Sequence, residues 1–546
     1  MSIFSYISGL RPGRSRFNLS HTKMFDANMG VLYPVCAMEA LPGDVFPISG
    51  QTVVRAQPLV APVLHEISIK LNYFFVPTRL LWDEWENFIT GGKNGDYEGK
   101  PPKLGSDAIS PHERVFLDKH TLDDFFGMPI NQPITEYNEP NVFLWRAYNF
   151  CWNEYFRSQD LQDEIDLENR QLLRRAWRKD YFTVALPSLQ RGTVPAMPIE
   201  VHFDNDLTIN AVGPTNNAYG FMTWSTKNSD TGTGGGTARV GLRSVDDEGV
   251  SWDKYLQNHG GNPTPPTGAG DYHLLRPTTS VNSLTIPVNI PLTQMSLTAS
   301  SFDISDLRLA FQIQKWQERN QRAGVRLKEF LLSHFGIAPR DDRLQRPEYI
   351  GGFSTPLVIS EVLQTSSTDA TSPQGNLAGH GINIDRFRIG TYRVKEHGFI
   401  LGLFSIMPKP MYAAQGIHRS FTRNSRFDYY FPEFAHLSEQ AVLSRELYSD
   451  GSEDDVKIFG FQGRYNELRV MHNQALGNMR DYFSYWHLAR IFDTHPLLNG
   501  SFIECNPDPR IFAVPSEPGF VVQYANLMNV VRRMPHVPEP GLADHF

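Results

Sequence analysis

The residues that could perform chemistry include an acidic run and a group of histidines towards the end of the chain. The run DGSEDD covers residues 450–455, and its carboxylates would bind a hard cation such as calcium only if the loop brought their oxygens together. His487, Asp493 and His495 lie close to one another in sequence, but their spacing matches no metal signature. A solvated turn and polar surface or hydrogen-bonded core positions explain these residues better, so we predict no bound metal.

Sequence motifs of catalysis and of cofactor binding are absent. The chain contains no GxSxG elbow, HExxH helix, CxxC pair, EF-hand loop or Walker loop. The glycines of residues 232–236 lack the preceding strand, the following helix and the lysine of a phosphate cradle, so they indicate a flexible loop. We therefore predict no catalytic site and no cofactor.

Two sets of basic residues are candidates for contact with an anionic partner. The first set lies in the stretch that precedes the first acid, Asp26, and it comprises Arg11, Arg14, Arg16 and Lys23. Coulomb attraction and counterion release favour binding of such an arm to nucleic acid, and a solvated or subunit-bridging tail is the alternative. The second set follows one face of a predicted helix, where it would line an interior, meet a neighbouring subunit or simply be solvated: Arg308, Lys315, Arg319, Arg322 and Arg326.

Charge and cysteine content restrict the class of protein. The chain of 546 residues has a formal net charge of −8 and a pI near 6.1, so any contact with nucleic acid must be local or shared with another protein. Cys36, Cys151 and Cys505 are odd in number and scattered, which indicates buried thiols in a reducing compartment. The start lacks the features of a secretory signal, and no apolar run approaches the roughly 20 residues of a membrane span. We expect a soluble protein made in a cytoplasm.

The stretch 64–92 indicates which secondary-structure elements would position the candidate residues. Apolar and polar residues alternate from Ile67 to Phe75, which predicts a strand with one buried face that Pro77 ends. Thr78 is then the predicted N-cap of a short helix that ends at Gly91 and Gly92. A β-sheet with helices in its connections follows from this pattern.

Other patterns extend the same architecture along the chain. Prolines in 30–48 indicate an interrupted edge strand that would pair with the strand from Ile67. The remaining predicted elements are a buried helix from Asn141 to Phe156, a strand over 181–186, a long helix over 303–334 in which Gly324 is a bend or break, and a central strand within 396–408.

Composition divides the chain into four parts. We predict a basic N-terminal arm (1–25), a first part of the fold with helical insertions (26–203), a variable insertion rich in Gly, Thr and Asn (204–298), and a remainder with helices and a C-terminal segment (299–546). Aromatic residues within the insertion would anchor a small subdomain or make external contacts: Trp224, Trp252, Tyr255 and Tyr272.

The run FFVPTRLLWDEWENF, which begins at Phe74, resembles the major capsid proteins of the Microviridae, the small single-stranded DNA bacteriophages, and within them the gokushovirus group. Similar blocks recur in collinear order over most of the chain, and the match is weakest in 204–298. These blocks include FDISDLRLAFQIQKWQERNQRAGVRLKEFLLSHFG, EHGFILGLFSIMP, RFDYYFPEFAHLSEQAVLSREL, FGFQGRYNELR, MRDYFSYWHLAR and DPRIFAV.

The resemblance implies an eight-stranded antiparallel jelly-roll β sandwich with long loop and helix insertions. It also implies a structural subunit that self-assembles into a T=1 icosahedral capsid and encloses a circular single-stranded DNA genome. A small basic protein would help to condense the genome, and the insertion would form a surface protrusion that contacts a bacterial receptor. The expected location is the virion, after synthesis and assembly in the host cytoplasm and without insertion into a membrane.

A β-sandwich protein that binds or processes carbohydrate is the alternative, because jelly rolls host both activities. Trp252 and Tyr255, with Asp246 and Glu248, would then line a glycan cleft. An enzyme of this kind needs two carboxylates that face each other across a groove at a separation suited to acid–base catalysis.

Overall fold

The computed structural model describes residues 13–104, 114–193, 201–203, 220–221, 240–245, 251–256, 297–299, 304–324, 326–363, 377–437 and 439–537. The chain forms two compact units, one made of Met1–Val194 with Ile313–Phe546 and the other of Pro195–Gln312.

Strands dominate the described residues, and helices occur in the connections. The strands are β1 Ser15–Asn18, β2 His21–Ala27, β3 Tyr33–Ala40, β4 Val45–Ala56, β5 Ile67–Pro77, β6 Val201–Phe203, β7 Gly220–Phe221, β8 Val240–Val245, β9 Ser251–Leu256, β10 Leu297–Ala299, β11 Glu348–Pro356, β12 Val358–Leu363, β13 Leu377–Arg393, β14 Gly398–Pro408, β15 Tyr412–Ala413, β16 Gln440–Leu443, β17 Ile458–Gln462, β18 Gln474–Ala475, β19 Phe520–Asn526 and β20 Asn529–Arg532. The helices are α1 Trp85–Thr90, α2 Leu122–Phe125, α3 Phe143–Cys151, α4 Ile304–Ala323, α5 Leu327–Phe335 and α6 Gly500–Ile503.

Two antiparallel sheets of the larger unit enclose its main core. The first sheet has the strand order β1-β20-β4-β13-β12, with β19 paired to both β4 and β2, and the second has the order β11-β5-β14-β3. Phe46 and Val54 of the first sheet and Ile69, Tyr73 and Ile400 of the second belong to one buried cluster. The predicted mainly β, antiparallel fold is confirmed, whereas the eight-stranded jelly roll stays a prediction.

The strand predicted from the alternating pattern is confirmed as β5. Its residues Ile67, Ile69 and Leu71 are buried in the main core, because successive side chains of a strand point to opposite faces. The N-cap prediction for Thr78 is wrong. Pro77 precedes a single 3₁₀ turn that starts at Thr78, and α1 begins only at Trp85. Gly91 ends α1 in the left-handed conformation, as predicted.

The opposite face of the second sheet is covered by the predicted helix after Asn141. This helix is α3, which continues as one π-helical turn to Phe156. Trp145 and Tyr148 of α3 pack with Phe74 and Val76 of β5 in a second buried cluster. Burial of this broad apolar stripe confirms its assignment to the core.

Two strand predictions are corrected by the sheet topology. The edge strand expected from 30–48 appears as β3 and β4, but β3 pairs with β14 and not with β5, because β14 lies between them. Residues 181–186 form turns rather than a strand, and only Leu186 makes an isolated bridge, to Phe461. Tyr181 and Phe182 are nevertheless buried in a third cluster. The central strand predicted within 396–408 is confirmed as β14.

The long predicted helix is divided at Gly324. This residue has φ +108°, a conformation that side chains rarely adopt, so α4 ends at Ala323 and α5 starts at Leu327. Trp316 of α4 lies 5.9 Å from His334 of α5 between ring centroids, so the two helices pack against each other.

The smaller unit contains two short antiparallel sheets among its described residues. One has the order β7-β8-β9, and the other pairs β10 with β6. Most of the predicted insertion 204–298 lies outside the described residues, so its role as a protrusion stays a prediction.

Candidate subunit-contact and nucleic-acid surfaces

A group of exposed aromatic side chains lies between β15 and β16. This group, called the aromatic patch, comprises the exposed Phe427, Tyr429, Tyr430 and Phe431 together with the half-buried Phe434. Between 42 and 53% of the surface of each of the first four is exposed. Phe427 and Phe431 lie 5.9 and 6.1 Å from Phe434 between ring centroids, so these rings are contiguous. Contiguous exposed apolar surface is characteristic of sites that contact another macromolecule.

Polar contacts hold the aromatic patch in place. The backbone N–H groups of Asn424 and Ser425 donate to Asp428 at 2.9 and 2.8 Å, and these bonds lower the pKa of that carboxyl. The hydroxyl of Tyr465 donates to the carbonyl of Tyr429 at 3.1 Å. The loop is therefore fixed by hydrogen bonds to its backbone, while the aromatic rings keep an exposed face.

Further anchoring comes from a buried carboxylate beneath the patch. Glu467 is 3% exposed, and it accepts hydrogen bonds from Arg423 at 3.2 Å and from Gln440 at 2.6 Å. The Arg423 guanidinium also stacks on the ring of Tyr429 at 5.1 Å. This arrangement preorganises the patch, which lowers the entropic cost of binding a partner.

Apolar side chains follow α4 and α5 at helical spacing, and the stripe that they form remains partly exposed. Ile313, Trp316 and Leu327 are 38, 50 and 58% exposed, respectively. The stripe is therefore not a core element of the larger unit, in contrast to the stripe of α3. It is a second apolar surface available to a partner.

The basic residues of the predicted helix face do not form one continuous face. Lys315 and Arg319 are exposed on α4, as is Arg308 nearer its start. Arg322 forms a salt bridge with the buried Glu439, and Arg326 lies beyond the break at Gly324.

Arg326 is held by acids of its own chain. Its side chain lies 3.2 Å from Glu329 and 3.8 Å from Glu154. Arg322 and Arg326 therefore have carboxylate partners within the chain, and Arg308, Lys315 and Arg319 are the more available cations. Contact of this set with an interior or a neighbouring subunit stays a prediction.

The basic residues near the N-terminus fall into different environments. Arg14 and Arg16 are exposed, with Arg16 on β1. Lys23 lies on β2, where its ammonium donates to the carbonyls of Pro34 and Phe125 at 3.2 and 2.8 Å. Burial lowers the pKa of Lys23. Arg11 lies outside the described residues. Contact of these four residues with DNA or a basic protein stays a prediction, and Arg14 and Arg16 are the exposed members.

A groove lined by cations lies on the outer face of the second sheet. Its volume is about 460 Å³, and it is called the basic groove after Lys70, Arg175, Arg178 and Lys409. Lys70 lies on the polar side of β5, the two arginines follow α3, and Lys409 follows β14. Sequence reasoning did not identify these residues as a site. The alternation of β5 could have indicated the direction of Lys70, but not its approach to the two arginines.

Mutual repulsion and burial act on the cations of the basic groove. Burial, followed by the charges of Arg175 and Arg178, lowers the pKa of Lys70. Burial also lowers the pKa of Arg175 to about 10. With a pKa of about 10, Arg175 stays protonated near pH 7 and contributes positive charge to the groove.

One cluster among the described residues could hold a metal ion. Asp450, Asp455 and His495 bring one ligand atom each within 4.8 Å of one another, and His495 Nε2 lies 2.9 Å from Asp455 Oδ1. The hydrogen bond between the imidazole and the carboxylate already explains this arrangement. His487 lies apart and bonds to the carbonyl of Met479. The acidic run and one histidine therefore meet, which the sequence did not predict.

Two of the four aromatic residues of the predicted protrusion lie within the described residues. Trp252 and Tyr255 lie on β9, whereas Trp224 and Tyr272 lie outside the described residues. Asp246 and Glu248, the carboxylates of the alternative glycan cleft, also lie outside the described residues. In the described ranges, none of the helices combines the length and the apolar character needed to cross a bilayer.

Known proteins resemble this chain over almost its whole length. Residues 5–542 match the family described as Capsid protein (F protein). Capsid protein VP1 of Chlamydia phage 1 is 32% identical over an alignment of 610 positions, which covers 99% of this chain and 97% of that protein. Capsid protein VP1 of Bdellovibrio phage phiMH2K is 32% identical, and that of Spiroplasma virus 4 is 29% identical, each over 92% of this chain and 90 and 89% of the relative, respectively.

Proposed function

The chain belongs to the phage family Capsid protein (F protein), and from this premise we propose that it builds a T=1 icosahedral shell around a circular single-stranded DNA genome. The protein is a structural capsid subunit of a small single-stranded DNA phage, and such subunits self-assemble around the genome. The observation that carries the proposal is the extent of the match, which leaves only a few residues at each end outside the family. The family also has a structural rather than an enzymatic role, and the carbohydrate alternative has no support.

Exposed apolar surface supports assembly through specific contacts. The aromatic patch and the stripe of Ile313, Trp316 and Leu327 present rings and aliphatic groups that are costly to leave in water. We propose that neighbouring subunits cover both surfaces in the shell. Aromatic side chains commonly dominate the energy of such interfaces, and a closed symmetric shell repeats each contact many times.

Charge supports a division of labour in genome packaging. The net charge of −8 argues against neutralisation of the genome by this chain alone, so a small basic DNA-condensing protein is a proposed partner. Arg11, Arg14, Arg16 and Lys23 are proposed contacts to DNA or to that protein. The region 204–298 is proposed as the surface protrusion, which would contact a bacterial receptor. Synthesis and assembly are proposed to occur in the host cytoplasm.

Natively expressed protein tests the assembly proposal directly. Size-exclusion chromatography followed by negative-stain electron microscopy should show uniform icosahedral particles with short surface projections. The particles should contain the full-length chain and nuclease-protected single-stranded DNA when they are isolated from infected cells. A monodisperse monomer that binds or hydrolyses glycans in a carbohydrate screen would contradict the proposal and support the alternative class.

A further inference from the structure

The geometry points to a single-stranded DNA contact at the basic groove, and we propose that its cations bind the phosphodiester backbone of the packaged genome. This inference rests on the proposed function, because it takes the packaged genome as the ligand. It concerns a different part of the chain from the N-terminal arginines. Lys70, Arg175, Arg178 and Lys409 come from three segments of the chain and line one groove.

The first argument is an imbalance of charge. The four cations are accompanied by one lining carboxylate, Glu66, which binds Lys409 at 2.8 Å. Among the described residues, Lys70, Arg175 and Arg178 have no carboxylate within ion-pair distance. Three cationic charges are thus left uncompensated in a chain whose net charge is −8. Closely spaced like charges repel one another, so an anion in the groove relieves a cost that the free subunit bears.

The second argument is the fixed position of the cationic groups. Lys70 Nζ donates to Ser354 Oγ at 2.7 Å, and Arg175 Nη1 donates to Ser405 Oγ at 3.0 Å. The guanidinium of Arg175 also lies 5.0 Å from the centre of the Phe156 ring. Each contact uses only part of the donor capacity of its cation, since an ammonium has three donors and a guanidinium has five. The remaining donors are available to phosphate oxygens.

The third argument concerns the size of the ligand and its bases. A volume of about 460 Å³ falls in the range of sites for small organic molecules, roughly 300–1,000 Å³, and exceeds the need of one inorganic phosphate. Tyr349 lines the groove with 46% of its surface exposed, and its ring contacts Phe74 at 5.4 Å. A basic track beside an exposed aromatic ring is the combination that binds single strands without sequence preference.

Fluorescence anisotropy with labelled oligo(dT) and full-length protein tests the proposal. Removal of two phosphate contacts in Lys70→Ala/Arg178→Ala should reduce the slope of log K against log salt by about 1.4, since each contact on a single strand contributes about 0.7. If the affinities converge at 1 M salt, binding at 0.1 M salt becomes about 25-fold weaker. Arg178→Ala alone, which removes an exposed side chain, should weaken binding about fivefold.

The control variant removes two cations from the exposed face of the other sheet. Arg386 and Arg388 lie on β13 and are exposed, so Arg386→Ala/Arg388→Ala makes the same change in net charge. Its affinity should stay within twofold of the unsubstituted protein. Equal losses in both double variants, or no loss in Arg178→Ala, would overturn the proposal. Competition by inorganic phosphate at the same concentration as oligonucleotide phosphate would also overturn it, because a simple anion site would then suffice.

Electron microscopy of the same preparations separates this proposal from the proposed function. If the groove variants form normal particles and bind the oligonucleotide with unchanged affinity, DNA binding at the groove is refuted and the capsid role stands. Failure of the unsubstituted chain to form particles under any condition would count against the capsid role, whereas the anisotropy comparison would still report on the groove.

Discussion

Substitution of two rings in the aromatic patch should raise the protein concentration at which particles form. Phe427 and Phe431 are suitable targets because they are 51 and 42% exposed, and both contact Phe434 rather than the main core. Phe427→Ser/Phe431→Ser therefore removes apolar surface that would be covered only on assembly. The isolated subunit should keep its fold and its thermal unfolding temperature.

The size of the effect follows from the exposed area. An aromatic side chain carries about 200 Å² of surface, so the two exposed fractions together leave about 190 Å² to be covered. At about 25 cal/mol per Å², complete burial would contribute about 5 kcal/mol per subunit. Ordering and imperfect pairing at an interface reduce this gain, and if about 2 kcal/mol survives, association weakens about 30-fold.

Light scattering across a dilution series measures this change. The concentration at which scattering by particles first appears should rise about 30-fold for the double variant. Tyr137→Ser is the matched control, because Tyr137 is 91% exposed but lies outside the aromatic patch. An assembly threshold within twofold of that of the unsubstituted protein, together with an unchanged circular dichroism spectrum, would refute the assignment of the patch to a subunit interface.

Three further predictions address stability and packaging. His65 is buried, and burial is the main cause that lowers its pKa to about 4. The nearby charges of His487 and Arg510 also lower this pKa, whereas the bond to the Lys409 carbonyl and the charge of Glu66 raise it. Because this folded-state pKa lies below the unfolded value of 6.5, the associated stability is present above pH 6.5 and is lost as the pH falls towards 4. The loss in the free energy of unfolding is about 3 kcal/mol. Chemical denaturation at several pH values should show a smaller loss in His65→Gln. Asp123 accepts hydrogen bonds from Leu117 N and Trp145 Nε1, each at 2.9 Å, and forms a buried salt bridge with Arg170. Asp123→Ala should therefore reduce the free energy of unfolding by about 3–5 kcal/mol. A melting temperature no lower than that of the conservative Asp123→Asn variant would contradict this. Arg14→Ala/Arg16→Ala should reduce the nuclease-protected DNA per particle without changing the thermal melt of the subunit, and normal DNA content would show that these exposed arginines do not contact the genome.

Local patterns in the sequence were sufficient for several elements. The alternation from Ile67 to Phe75 gave β5, and the apolar stripe after Asn141 gave α3, because both periods follow from backbone geometry alone. Gly324 marked the break between α4 and α5, since only glycine adopts φ +108° without strain. The family was also recognisable from collinear blocks of residues.

The same kind of reasoning failed where burial decides the structure. Residues 181–186 are apolar enough for a strand, yet they form turns whose side chains fill a third core cluster. The stripe of α4 has the spacing of a core helix, yet Trp316 is 50% exposed. Spacing identifies a face that must be covered, but it does not say whether the same chain or a neighbouring subunit covers it.

The sequence by itself determined the mainly β class, the family and the positions of the strongest helices and strands. Only the tertiary structure placed β14 between β3 and β5, and only it brought Lys70, Arg175 and Lys409 to one groove. It likewise joined His495 to Asp455. The physical reason is that strand pairing and core packing connect segments hundreds of residues apart, and these contacts depend on the packing of the whole fold rather than on any local period.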